Sequence, residues 1–186
     1  MEFRQFDRNT FEATRAKWRS EAEEYDCFPD EVDRKLQWIE EALAGTSPQA
    51  AQQAVIPYGV FAPGESIAAA TCELVLSHRG SLTGKWLKLL KVTMSPEIEV
   101  LTEEEDQAAI EVTVNAYRAA TLGAYNSRLE HAADTLKLFG RNARLQEFQT
   151  LLMQSIQRDP QHRPIIASQQ GRWLVLKSAT TTEECL

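Results

Sequence analysis

Six carboxylates crowd residues 97–106 of this chain. In "KVTMSPEIEVLTEEEDQAAIEV", Lys91–Val112, the acids Glu97, Glu99, Glu103, Glu104, Glu105 and Asp106 follow a predicted strand and a break at Ser95-Pro96. A strand running into a helix is where α/β proteins commonly hold phosphate, through bare backbone N–H groups, glycines and sometimes a basic side chain. The stretch carries no glycine, and its charge has the wrong sign. Acids in a first helical turn stabilise that helix by about 0.3–1 kcal/mol each. A phosphate brought within about 4 Å of one would be repelled by roughly 4 kcal/mol per charge pair at an effective dielectric near 20. The repulsion is the larger effect. The segment is therefore expected to build a helix, headed by Thr102 with Glu105 closing a capping box, rather than to hold a pyrophosphate.

Other reactive side chains form weaker patterns. "GSLTGKW", Gly80–Trp86, is one residue short of a phosphate-binding loop, has Trp86 where a Mg²⁺-binding hydroxyl belongs, and leads into a strand; it reads as a hairpin turn. His78, His131 and His162 are scattered, and His131 with Glu130 and Asp134 lacks the spacing of a metal site; a solvated or capping histidine is the expectation. Cys27, Cys72 and Cys185 are far apart with no CxxC spacing, so neither a disulfide framework nor a zinc site is indicated, and no metal is expected. Cys72 lies in an apolar strand and reads as a buried, inert thiol. Trp18 and Trp173 fit apolar phases and read as core, whereas Trp38 stands beside its helix's apolar stripe.

The whole-chain balance narrows the function classes. With 20 Lys and Arg against 27 Asp and Glu, the 186 residues carry a net charge of −7, with no basic stripe for nucleic acid. No apolar run approaches the roughly 20 residues of a membrane helix, and "MEFRQFDRNTF" has no signal-peptide core, so a cytoplasmic protein is expected. Residues 1–179 are expected to form one domain and residues 180–186 a frayed tail.

The elements that would position these groups follow from periodicity. "MEFRQF" alternates as a strand. "NTFEATRAKWRSEAEEY" is a helix capped by Asn9 or Thr10, and "FPDEVDRKLQWIEEALAG" is a second, striped by Val32, Leu36, Ile39 and Leu43. "AVIPYGVFAP", "IAAATCELVLSH" and "KWLKLLKVTMS" are three consecutive strands. In the third, Trp86, Leu90, Val92 and Met94 share one phase and Leu87 and Leu89 the other, so the Leu89-Leu90 doublet implies a bulge or burial on both faces. The long helix after Thr102 has Ile110, Val114, Tyr117 and Thr121 as its inner stripe. "ADTLKLFG" is a short strand. "NARLQEFQTLLMQSIQ" is a helix capped by Asn142 and striped by Leu145, Phe148, Leu152 and Ile156, and "RPIIASQQGRWLVLKSA" is a hairpin turning at Gln170-Gly171. The order β-α-α-β-β-β-α-β-α-β-β predicts a mixed-sheet α/β fold.

That order, over nearly the whole chain, resembles the GCN5-related N-acetyltransferase (GNAT) superfamily. "LKVTMSP" is similar to the family's L-x-V-x-P end of the fourth strand, the Leu89-Leu90 doublet matches a bulge there, and "LKLFGRNARLQEF" is similar to its fifth strand and Asn-headed helix. The resemblance implies acetyl-CoA held by a Q/R-x-x-G-x-G/A loop after the fourth strand, but "EIEVLTEEEDQ" has neither the basic residue nor the glycines. The family's tyrosine general acid falls on Phe148. The expectation is a GNAT-like domain without the usual acetyl-CoA grip and without a cofactor, acting as a binding module for a protein partner or for a second copy of itself. The alternative is an acyl-CoA-dependent N-acetyltransferase, in which the backbone of Val92, Thr93, Met94 and Ser95 holds the pantetheine arm and Tyr117 or Tyr125 is the acid.

Overall fold

A computed structural model describes residues 1–46, 54–78, 84–158 and 165–179. Most of the loop expected at Thr46–Gln53, most of the Gly80–Gly84 turn, His162, Cys185 and the tail after residue 179 fall outside those residues. The elements are β1 (Glu2–Gln5), α1 (Arg8–Glu24), α2 (Pro29–Leu43), β2 (Ala54–Phe61), β3 (Ala68–His78), β4 (Lys85–Met94), α3 (Pro96–Glu103), α4 (Gln107–Ser127), β5 (Thr135–Phe139), α5 (Ala143–Arg158), β6 (Ile165–Gln170) and β7 (Trp173–Ser178). The strands make one seven-stranded sheet in the order β1-β2-β3-β4-β5-β7-β6. Only β4 and β5 pair in parallel; the other neighbours are antiparallel. The mixed α/β class is as expected, with one helix more than the predicted order.

That additional helix corrects the reading of the acidic stretch. Ser95 caps α3, its Oγ accepting from the Ile98 N–H, and Pro96 takes the first helical position, where its missing N–H costs nothing. Glu105 then adopts a left-handed φ of 62°, and Asp106 starts α4 by accepting from the Ala109 N–H at 2.8 Å. No Thr102–Glu105 capping box forms. Aspartate caps a helix better than threonine does, and Asp106 stands where the break falls. Thr102 Oγ1 instead meets Thr113 Oγ1 at 3.0 Å, joining α3 to α4. The cap of α1 moves in the same way, from Asn9 or Thr10 to Asp7, whose carboxylate accepts from Thr10 while its own N–H reaches Thr10 Oγ1. Asn142 caps α5 as expected, its Oδ1 accepting from the Leu145 N–H. The β6–β7 turn is Gly171-Arg172, one residue beyond the predicted position, with Gly171 at φ 60°.

The Leu89-Leu90 doublet is a bulge. Glu73 pairs with Lys91 and Leu74 with Leu89, so Leu90 is the extra residue. The extra residue switches the phase, and Leu87, Leu89, Val92 and Met94 all reach the core cluster that packs on α4. A second cluster joins α1 and α2 to Phe6, Phe61 and Ala68. Within it Trp18 Nε1 donates to the Ala68 carbonyl at 2.9 Å and Thr14 Oγ1 accepts from the Ala68 N–H, fixing α1 to the start of β3. Trp173 is half-buried against Phe139 rather than deep in the core.

The inner face of α4 differs from the predicted stripe. Ala116, Ala120, Ala124 and Tyr125 join the core cluster on the sheet, and Thr121 is buried as expected, while Val114 is left 50% exposed. Small residues let the helix lie close to the strands. Closest is Gly123, where an added Cβ would sit 2.3 Å from the Phe3 side chain on β1. Gly123→Ala is thus expected to destabilise the fold by about 1–3 kcal/mol, although alanine alone favours a helix by about 1 kcal/mol over glycine. Urea unfolding measures this, and an unchanged or raised midpoint would contradict the close approach.

Glu73, opposite Lys91 at the bulge, has its carboxyl pushed above the ordinary range by burial, which the Lys91 ammonium only partly opposes. A carboxyl with a raised folded pKa favours the fold while protonated, and that contribution is lost as pH rises through the folded value. Glu73→Gln is therefore expected to melt above the unsubstituted protein near neutral pH. The gap should close below about pH 4, where the native carboxyl is itself protonated. A pH-independent difference would assign the effect to packing instead.

Candidate functional site

Beyond the bulge an opening lies beside the central strands. Trp86–Leu89 of β4 pair with Thr135–Leu138 of β5, and there the ladder stops. From Leu90 to Met94, β4 keeps β3 on one side and, among the described residues, has no strand on the other. A groove of about 390 Å³ fills the divergence, walled by Val92 and Met94 of β4, Ile98 of α3, Tyr117 of α4, and Leu145 and Phe148 of α5. This lies within the roughly 300–1,000 Å³ usual for ligand sites. A smaller recess of about 30 Å³ continues inward past Leu90, Thr121, Leu138 and Gln149.

Of the residues singled out from the sequence, Val92, Met94 and Tyr117 meet in this groove. Tyr117 stacks at a tilt on Phe148, with 5.4 Å between ring centroids. A tyrosine from α4 thus stands beside the α5 position at which the resemblance placed an acid. Thr93 pairs with Thr71 and is not among the groove's lining residues. Ser95 is committed to structure, its N–H donating to the Ala69 carbonyl at 3.0 Å and its Oγ capping α3. Tyr125 lies elsewhere, two turns along α4, where its hydroxyl meets Ser178 and its ring carries the Arg128 guanidinium at 3.7 Å.

The start of α3 has few N–H groups left to offer. Pro96 has none, Ile98 donates to Ser95 Oγ, and Glu99 donates to the Ser95 carbonyl. The Glu97 N–H points to the carboxylate of Glu21, 3.4 Å away on α1. Glu21 is only 4% exposed and is also approached by Lys17 Nζ at 3.6 Å. Glu97 in turn accepts from Tyr25 Oη, a phenol held above its ordinary range first by desolvation and then by the Glu97 charge, so it remains a donor at neutral pH. Glu99 pairs with Lys35 Nζ at 2.8 Å. Glu103, Glu104, Glu105 and Asp106 do not stand near this helix start, as the sequence reading had them. They lie at the far end of α3, about 12 Å along an eight-residue helix.

Several groove residues carried little sequence signal. Gln149 occupies an apolar-stripe position, four residues after Leu145 and three before Leu152, and it is 3% exposed. Its Nε2 donates to the Leu138 carbonyl at 2.9 Å, where β4 and β5 part, while its Oε1 has no partner. Thr121 Oγ1 is buried and unpartnered in the same recess. A polar residue at a core spacing was the clue to Gln149. Glu21 could be found only by knowing how α1 crosses α3.

The remaining reactive groups play quieter parts. Cys72 is fully buried, and burial pushes its thiol far above the ordinary range, as an inert core thiol requires. His131 neither caps a helix nor joins a metal cluster; its Nε2 meets Tyr58 Oη at 3.3 Å. Trp38 is half-buried against the α1–α2 cluster. Among the described residues no group of three His, Cys, Asp or Glu is placed to hold a metal ion, and no helix is long and apolar enough to cross a membrane.

No protein-family model matches the sequence, and no curated protein matches it either. The fold is similar to the crystal structure of a probable acetyltransferase, with a TM-score of 0.51 over 91% of this chain and 99% of that one, at 14% sequence identity. At that identity the likeness speaks for the fold alone, a mixed α/β architecture around one seven-stranded sheet that is consistent with a GNAT-like fold.

Proposed function

We propose that this chain is a GNAT-like binding domain that does not take acetyl-CoA in the family's usual manner and acts by engaging a protein partner. The observation that carries this reading is the occupied start of α3. A pyrophosphate there would need free N–H groups, yet proline, the Ser95 hydroxyl and the buried Glu21 carboxylate account for the first three positions. Glu97 and Glu99 add charge of the same sign as the phosphate. The residues present do not fit that group. The groove beside β4 stays open, so a binding surface persists without a phosphate grip.

A second reading is an acyl-CoA-dependent N-acetyltransferase with a non-standard cofactor site. It is favoured by Tyr117, which lines the groove next to Phe148. Calorimetric titration with acetyl-CoA separates the two. The binding-domain reading expects no saturable heat at millimolar ligand. Micromolar binding would overturn it and favour the enzyme, and Tyr117→Phe would then be expected to lower turnover by about 10²–10⁴-fold with little change in affinity.

A further inference from the structure

We infer that the open side of β4 receives an extended peptide strand from a partner protein, apolar at alternate positions and bearing a lysine or arginine. The inference rests on the binding-domain reading and names the chemistry of its partner. Among the described residues, Leu90–Met94 has a main-chain edge without a strand neighbour, and Val92, Thr93 and Met94 are each less than a tenth exposed. Such an edge presents N–H and C=O groups toward the groove, and an added strand supplies both kinds of partner in register.

The walls agree with that occupant. Alternate side chains of an added strand would face Met94, Ile98, Leu145 and Phe148, and Val114 already leaves an apolar side chain half in solvent on the same wall. In the recess, Gln149 Oε1 can only accept a hydrogen bond and Thr121 Oγ1 lacks a partner, so an incoming N–H or O–H finds a buried acceptor. The charges give the strand a preference. Lys35 answers Glu99, but Glu103 stands on the rim beside Glu104, Glu105 and Asp106, which favours a basic side chain at the α3 end; Arg141 marks the opposite, α5 end. A lipid would satisfy the apolar walls and leave the β4 main chain unpaired. A phosphorylated ligand would meet the acids.

The test is selection of random dodecapeptides displayed on phage against the full chain. Enriched sequences are expected to alternate apolar with polar residues and to carry a Lys or Arg. A labelled synthetic copy should bind by fluorescence anisotropy and slow amide exchange at Leu90–Met94. Val114→Arg, at a half-exposed position, and Glu103→Lys, on the exposed turn, should each weaken it by about tenfold, while Leu129→Arg outside the groove should not. Unchanged melting of the variants checks their folds, and Glu103→Lys decides if Val114→Arg misfolds. No enrichment, or enriched peptides indifferent to both groove variants, would overturn the inference. Acetyl-CoA titrated in parallel separates the two proposals: silence from both ligands removes the peptide and leaves the binding-domain reading, whereas saturable acetyl-CoA binding removes that reading itself.

Discussion

One extra residue in β4 governs much of the architecture. Strand β3 holds β4 from Lys85 to Met94, but only by letting Leu90 bulge out between Leu89 and Lys91. A bulge bends and twists the strand that carries it, and β4 leaves β5 one residue earlier, at Leu89. The same insertion shifts the pleat by one, which lets Leu87, Leu89, Val92 and Met94 pack together on α4 although their spacing breaks alternation. Core continuity and the open groove therefore have a single origin. An unbulged β4 would turn one half of that apolar set away from α4.

A second irregularity anchors the helices that surround the groove. Val60 pairs with Ala70 and Phe61 with Ala68, leaving Ala69 as the displaced residue of β3. Backbone groups freed there find specific partners. Trp18 and Thr14 of α1 bind Ala68, and the Ser95 N–H binds the Ala69 carbonyl. Helix α1 and the start of α3 are thus held to adjacent residues of one strand, which brings the Glu21 carboxylate to the Glu97 N–H. A buried carboxylate is costly unless hydrogen-bonded, and the positive end of a helix is a favourable place for it. The arrangement meets the needs of Glu21 and of α3 together, and in doing so withdraws α3 from service as an anion site.

Local patterns and long-range packing divide the legibility of this protein. Helix and strand positions, the Leu89-Leu90 bulge, the Asn142 cap and the inert Cys72 could be read from the chain, because each depends on neighbours within a few residues. Helix boundaries were less legible. Thr102–Glu105 has the form of a capping box, yet Ser95 and Asp106 each made a better start, and competition among caps is decided by where the strand ends and the next helix must turn. Side-chain size is a poor signal for the buried face of α4. Close packing on the sheet instead favours alanine along the buried face, and contact with Phe3 requires glycine at Gly123, while the larger Val114 and Tyr117 line the groove.

The sequence by itself determined that the strand-to-helix junction after Met94 would be acidic, without glycines, and helical, since those properties reside in the residues of the junction. Tertiary structure alone decided which acid matters there. Glu97 and Glu99 lie in the first turn of α3, Glu103–Asp106 are carried to its far end, and the carboxylate that meets the free N–H comes from α1, more than seventy positions earlier in the chain. It decided likewise that Tyr117 would share a groove with Val92 and Met94 and that Tyr125 would not. Charge and helix propensity act over a few residues, whereas the meeting of Glu21 with Glu97 depends on two helices tied to the same bulged strand.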